Sequence, residues 1–232
     1  MTARKRQGPL DGLRVVDCAG MIAGGFATTQ LADFGADVIK IEHPEGTDPL
    51  REWPPYDDGV SLWWKSIARN KRCVTLDLST PAGSALLLDL IDDADVLVEN
   101  FRPGTMEKWG LAHDRLHEEN PGLIVVRQSG YGQTGPRSGK PGFGTVAEGI
   151  SNWAYVNGFP DSKPLLPPIS LGDLTAATFA VQGIMFALFE RDVGRGGGSG
   201  EGQVIDMSLY EPLFRLFVSE VEAYDRLGEV RE

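Results

Sequence analysis

Positive charge is scarce in this chain: 22 Lys and Arg stand against 33 Asp and Glu, a formal net charge of −11. Without a global basic field, neither nucleic acid nor an anionic membrane surface is an expected partner. Cysteine is nearly absent. Cys18 and Cys73 are far apart in apolar, strand-like runs, which reads as two buried thiols in a reducing compartment and points to a cytoplasmic protein. The three histidines lack cysteine or carboxylate neighbours at metal-binding spacing; His113 and His117, four apart on a polar helix, read as solvent-facing, and no metal is expected. No basic start leads into an apolar signal core, and no apolar run approaches the ~18 residues a membrane span requires. Residues 1–7 read as a short polar, basic tail. There is no P-loop, and the turn Ala19 to Gly25 lacks the Gly-x-Gly-x-x-Gly spacing of a dinucleotide fingerprint, which disfavours a nicotinamide cofactor.

What is present is hydrophobic patterning of one kind. At 41% hydrophobic composition the chain can bury a substantial core. Short apolar runs at Leu13 to Asp17, Val38 to Ile41, Cys73 to Leu76, Val96 to Glu99 and Leu123 to Arg127 alternate with helical stretches at Ala23 to Phe34, Pro81 to Asp92 and His113 to Glu119. This alternation predicts an α/β, doubly wound, Rossmann-like parallel sheet. From Gly130 the chain turns to Gly, Pro and aromatics, with a helix near Thr145 to Trp153. Leu174 to Glu190 reads as a long helix, apolar almost all round and therefore buried. A glycine-rich turn at Gly194 to Gly202, a strand at Gln203 to Asp206 and a helix from Ser208 to Leu227 follow, the last running amphipathically towards Glu232 without a C-terminal cap.

Three places carry chemistry. Open parallel sheets bind ligands beyond the carboxyl ends of their strands, where the Asp17 to Gly25 turn and the Asn100-Phe101-Arg102-Pro103-Gly104 segment both fall. The second of these offers a stacking ring, an amide and an arginine. Positive charge gathers locally at Arg69, Lys71 and Arg72 and at Arg102 and Lys108, which suits a compact polyanion. Asp173 is delivered by a Pro-Gly stretch to the head of the long apolar helix. There it serves either as an ordinary N-cap or as a carboxylate nucleophile that takes up an acyl group.

The ordered strings Pro9 to Asp17, Leu31 to Glu42, Arg69-Asn70-Lys71-Arg72 with Leu76-Asp77-Leu78, Asp95 to Gly104, Ser129-Gly130-Tyr131-Gly132, Pro141-Gly142-Phe143 and Leu171-Gly172-Asp173 resemble the class III CoA-transferases, the family of formyl-CoA transferase and carnitine CoA-transferase. The resemblance implies transfer of coenzyme A from an acyl-CoA to a small carboxylic acid through an aspartyl mixed anhydride and an aspartyl-CoA thioester on Asp173, with no metal or prosthetic group. It implies coenzyme A contacts at Ala23, His43, Leu76, Asn100 and Phe101, at Lys108 in a place where the family has arginine, and at Lys140 and Phe143 beside the acyl site. The α-methylacyl-CoA racemases resemble this region too but carry His-Asp where this chain has Phe143-Gly144, so two-base epimerisation lacks a proton carrier. Ile22 stands where formyl-CoA transferase has glutamine, against formate and oxalate chemistry. On the same likeness, residues 1–232 are the amino-terminal part of a large CoA-binding domain that ends before a small second domain. The full-length form would be an interlocked homodimer, and the chain alone an enzyme part or an inactive CoA-binding fragment.

Overall fold

The structure, a computed structural model, describes residues 8–230, so the basic tail at residues 1–7 and the last two residues lie outside it. Six strands form one sheet: β1 Arg14–Asp17, β2 Asp37–Glu42, β3 Lys71–Thr75, β4 Val96–Glu99, β5 Ile124–Ser129 and β6 Val204–Ser208. Their spatial order is β3-β2-β1-β4-β5-β6 and every neighbouring pair is parallel. The order reverses between β1 and β4, where the crossovers leave in opposite directions and a crevice opens above the strand ends.

Both faces of the sheet are buried, and strand alternation assigns each residue to its layer. Val15, Val96, Val98, Ile124 and Val126 pack on one face against α1 (Ala23–Asp33) and the long helix, while Val16, Leu97 and Val125 pack on the other with α2 (Pro81–Ile91) and α3 (His113–Glu119). α2 begins as its sequence dictates, with Pro81 in the first turn and the Thr80 hydroxyl accepting from Gly83 N at 3.1 Å. Two more helices complete the scaffold, α4 (Gly144–Ile150) and α5 (Leu171–Gly197).

Several expectations are corrected. α5 starts at Leu171, one turn ahead of the predicted Leu174, and leaves helical geometry at Gly194, Arg195 and Gly196. It is not buried all round. Ala176, Ala177, Ala180, Ile184 and Leu188 face the core, but Phe186, Phe189 and Val193 are exposed. It is also, by length and composition alone, apolar enough to cross a membrane, with mean hydropathy 1.4, contrary to the expectation that no stretch approaches that length. Here the apolarity is explained on one side by the core that α5 shares with β4, β5 and α1.

The predicted helix from Ser208 is two short ones, Glu211–Arg215 and Glu220–Leu227. The chain tightens between them, Val218 N donating to Leu216 O, and the Phe217 ring packs tilted against Trp153 with centroids 5.9 Å apart. The helix expected over Thr145 to Trp153 is likewise broken, into α4 and Trp153–Val156 around Asn152 at φ 72°. Cys73 is exposed rather than buried because β3 is an edge strand; Cys18 is buried. His113 and His117 are half-buried, and His117 Nε2 lies 2.9 Å from Leu123 O instead of facing solvent.

Candidate functional site

The turn after β1 is held by buried charge. Lys71 Nζ donates to Asp17 Oδ2 (2.9 Å), Gly25 O (2.7 Å) and Thr28 Oγ1 (2.8 Å), with both charged side chains fully buried. Asp17 Oδ1 accepts from Ala19 N (3.0 Å), Asp48 accepts from Met21 N (3.2 Å), and Lys40 Nζ donates to Ala19 O (2.6 Å) beside Asp48. Burial pushes the Asp17 carboxyl up, but Lys71, Lys40 and Thr28 outweigh it and hold the group below its ordinary range. The basic triplet read as a polyanion pocket is therefore spent structurally. Lys71 pairs with Asp17, Arg69 with Asp33, and Arg72 with Asp37 at 2.7 Å.

The turn after β4 is tied to the first. Asn100 Oδ1 accepts from Gly20 N (2.9 Å) and Asn100 Nδ2 donates to Gly20 O (2.7 Å), so the carboxamide read as a ligand donor spans the two loops instead. Phe101 N donates to Glu99 Oε2 (2.8 Å), and its ring meets Trp109 edge-on with centroids 4.9 Å apart. Burial raises the Glu99 carboxyl to about 7, with Arg127 Nε 3.0 Å away pulling it down.

Above these turns lies a cleft of about 810 Å³ lined by Ala23, Asn100, Phe101, Phe143 and Asp173 among the residues expected from sequence, together with Trp53, Trp63, Gln128, Ser129 and Glu148. A second hollow of about 380 Å³ is lined by His43, Leu76, Cys18 and Lys40, and shares Gly20 and Phe101 with the first. Seven of the nine expected positions thus surround two adjoining hollows at the switch point. Lys108 and Lys140 line neither; both are exposed. Among the described residues, no group of three or more His, Cys, Asp and Glu side chains could hold a metal ion.

Asp173 stands at the third position of α5, not at its cap; Ser170 is the N-cap residue. Its carboxylate is half-buried against the backbone of α4. A Cβ placed on Gly144 would run into Asp173 Oδ2, and one placed on Gly172 would sit 2.9 Å from Gly144 O. Only glycines allow this approach of two helix starts. Glu148, 3% exposed, reaches from α4 and its Oε1 accepts from Gly172 N at 3.1 Å. Burial, reinforced by the Glu148 charge, pushes the Asp173 carboxyl up to about 6. A carboxylate of this kind is partly desolvated, open to the cleft and ionised at neutral pH, the properties a nucleophile needs.

Sequence reasoning missed Glu148, Gln128 and Trp53. Each is a polar or aromatic residue whose role is set by what packs over it. The available signals were a carboxylate inside the short apolar helix that begins near Gly144 and a glutamine near the end of a strand that opens Ile-Val-Val.

Comparison with known proteins gives a consistent result. The sequence model of CoA-transferase family III matches residues 10–232. Succinyl-CoA--D-citramalate CoA-transferase of Chloroflexus aurantiacus is 46% identical over 100% of this chain and 57% of its own length. Succinate--glutarate CoA-transferase of Agrobacterium fabrum is 39% identical over 89% of this chain and 52% of its own. Among solved structures, a CAIB/BAIF family protein from Brucella suis superposes with TM-score 0.88 at 34% identity, covering 96% of this chain and 58% of that one. The chain thus spans a little over half the length of the relatives it matches.

Proposed function

Because the chain belongs to CoA-transferase family III, we propose that the protein moves coenzyme A from an acyl-CoA to a small carboxylic acid, with Asp173 as the covalent carrier. The observation that carries this reading is the half-buried Asp173 carboxylate, open to a large cleft at the switch point of the sheet. An Oδ of Asp173 attacks the thioester carbonyl, the C–S bond breaks, and the CoA thiolate leaves behind a mixed anhydride. The thiolate attacks the aspartyl carbonyl of that anhydride and the donor acid departs, leaving an aspartyl-CoA thioester. An acceptor carboxylate then attacks the aspartyl-CoA, forming a new anhydride; the released thiolate takes the acceptor acyl group and frees Asp173. Each step exchanges one acyl bond for another and needs no oxidant or net proton.

Relatives named for succinyl-CoA and dicarboxylates support small acids as the substrate class. In this reading the acyl end lies beside Asp173, and the remainder of the coenzyme passes Phe101 towards His43 and Leu76. The test is chemical capture: incubation with acyl-CoA, then hydroxylamine, converts Asp173 to a hydroxamate detectable by peptide mass spectrometry. An unmodified Asp173 peptide under conditions of CoA exchange would overturn the proposal.

Two further results follow. Attack requires the anion, so the single-turnover labelling rate rises with pH through about 6 and levels off above it. Glu148→Gln removes a like charge and shifts that limb to lower pH; an unmoved limb would dissociate Glu148 from Asp173. Gly144→Ala drives a methyl into Asp173 Oδ2. Displacing the nucleophile lowers the labelling rate by about 10²-fold, while circular dichroism shows the fold retained.

A further inference from the structure

We propose that Gln128 is a second recognition point in the cleft, a subsite for a hydroxyl group carried on the acyl chain of the bound CoA ester. This rests on the reading of the cleft given above and deepens it.

Strand alternation places Gln128 on the same face of β5 as Ile124 and Val126, one residue pair further towards the carboxyl end. It ends an apolar row on the cleft floor, between the starts of α1 and α5. The side chain is 1% exposed, and neither Oε1 nor Nε2 has a hydrogen-bond partner. An amide buried with both ends unpaired is costly, and folded proteins rarely tolerate it unless something completes it. Nearby polar groups do not, and the adjacent Ser129 Oγ is itself buried without a partner. Asn100 is spent on Gly20, Glu148 Oε1 on Gly172 N, and Asp17 on Lys71. Gly24 packs beside the amide: a Cβ built on it would lie 3.5 Å from Gln128 Oε1.

The unpaired amide, with one acceptor and one donor end, selects the ligand chemistry. Among the described residues lining it there is no Lys or Arg, while Glu148 and Asp173 both contribute carboxylates. A hydroxyl carries one donor and two acceptor lone pairs, matching the Oε1 acceptor and the Nε2 donor together.

The experiment is calorimetric titration of the protein carrying Asp173→Asn, so that binding is read without acylation, with CoA, butyryl-CoA and both enantiomers of 3-hydroxybutyryl-CoA. One hydroxy enantiomer should bind about tenfold tighter than butyryl-CoA, the scale of one to two well-formed hydrogen bonds. Gln128→Met, close in length and shape, should erase that preference and raise the melting midpoint, because the unpaired amide is gone. Equal binding of the three esters to the parent overturns the subsite while CoA binding stands. A preference that survives Gln128→Met also overturns it, by placing the hydroxyl elsewhere. A protein that binds neither CoA nor any ester overturns the functional reading and the subsite with it.

Discussion

Asp173→Asn abolishes hydroxylamine-trapped acylation, lowering CoA exchange by about 10⁴-fold or more, and yields a more stable protein. The loss follows because an amide oxygen does not form a stable anhydride, and no other carboxylate lining the cleft is free to replace it: Glu148 is tied to Gly172 N. The gain in stability follows from linkage. Burial and Glu148 raise the folded-state carboxyl from 3.8 to about 6, so its stabilising contribution is present below pH 3.8 and is lost as pH rises through about 6. At pH 7 the ionised group therefore costs roughly 3 kcal/mol. Asparagine removes that cost. Urea denaturation at pH 7 and pH 4 measures it: the variant exceeds the parent at pH 7, and the difference shrinks at pH 4. An active Asn variant, or one equally stable at both pH values, would contradict the assignment. On the proposed role of Asp173, stability is exchanged for function at one carboxylate.

The second large effect lies beneath the cleft. Lys71→Met takes the ion-pair partner from buried Asp17, leaving it Thr28, Ala19 N and the charge of Lys40, and destabilises the fold by about 3–5 kcal/mol, a large part of the 5–15 kcal/mol typical of a domain. Asp17 is held below its ordinary range, so its contribution is present above pH 3.8 and fades only as pH falls through its lower folded value. Adding Asp17→Asn to Lys71→Met should recover a substantial share of the loss, because the stranded charge is gone. Denaturant midpoints of the single and double variants decide this. A Lys71→Met protein as stable as the parent would mean the pair carries no net burden. Loosening the Ala19 to Gly25 turn should also weaken CoA binding, since Gly20, Met21, Ile22 and Ala23 line the cleft.

The sheet was legible because strands buried on both faces write themselves as short apolar runs; Val96–Glu99 and the polar-faced His113–Glu119 fell where the pattern put them. The family likeness added what periodicity could not: a role for Asp173. The start of α5 was misplaced because Ser170 and Asp173 are both good capping residues three apart, and only the packing of α4 against Gly172 decides which turn comes first. The basic triplet misled for a related reason. A sequence displays charges but not partners, and Asp17, Asp33 and Asp37 lie 54, 36 and 35 residues away from their cations. Gln128 and Glu148 were hidden because their meaning is an environment: the same residues on an open surface would signify nothing.

The Asn100–Gly20 bridge has one more consequence. It stands where the two hollows adjoin, so a guest filling both must pass the threshold of Gly20 and the Phe101 ring that line each of them. Such a threshold gauges length. A short thioester mimic without its nucleotide half would reach the carboxylate yet lack the tether that sets how deep its carbonyl sits, and selection would act on the whole span of the molecule rather than on its reactive end.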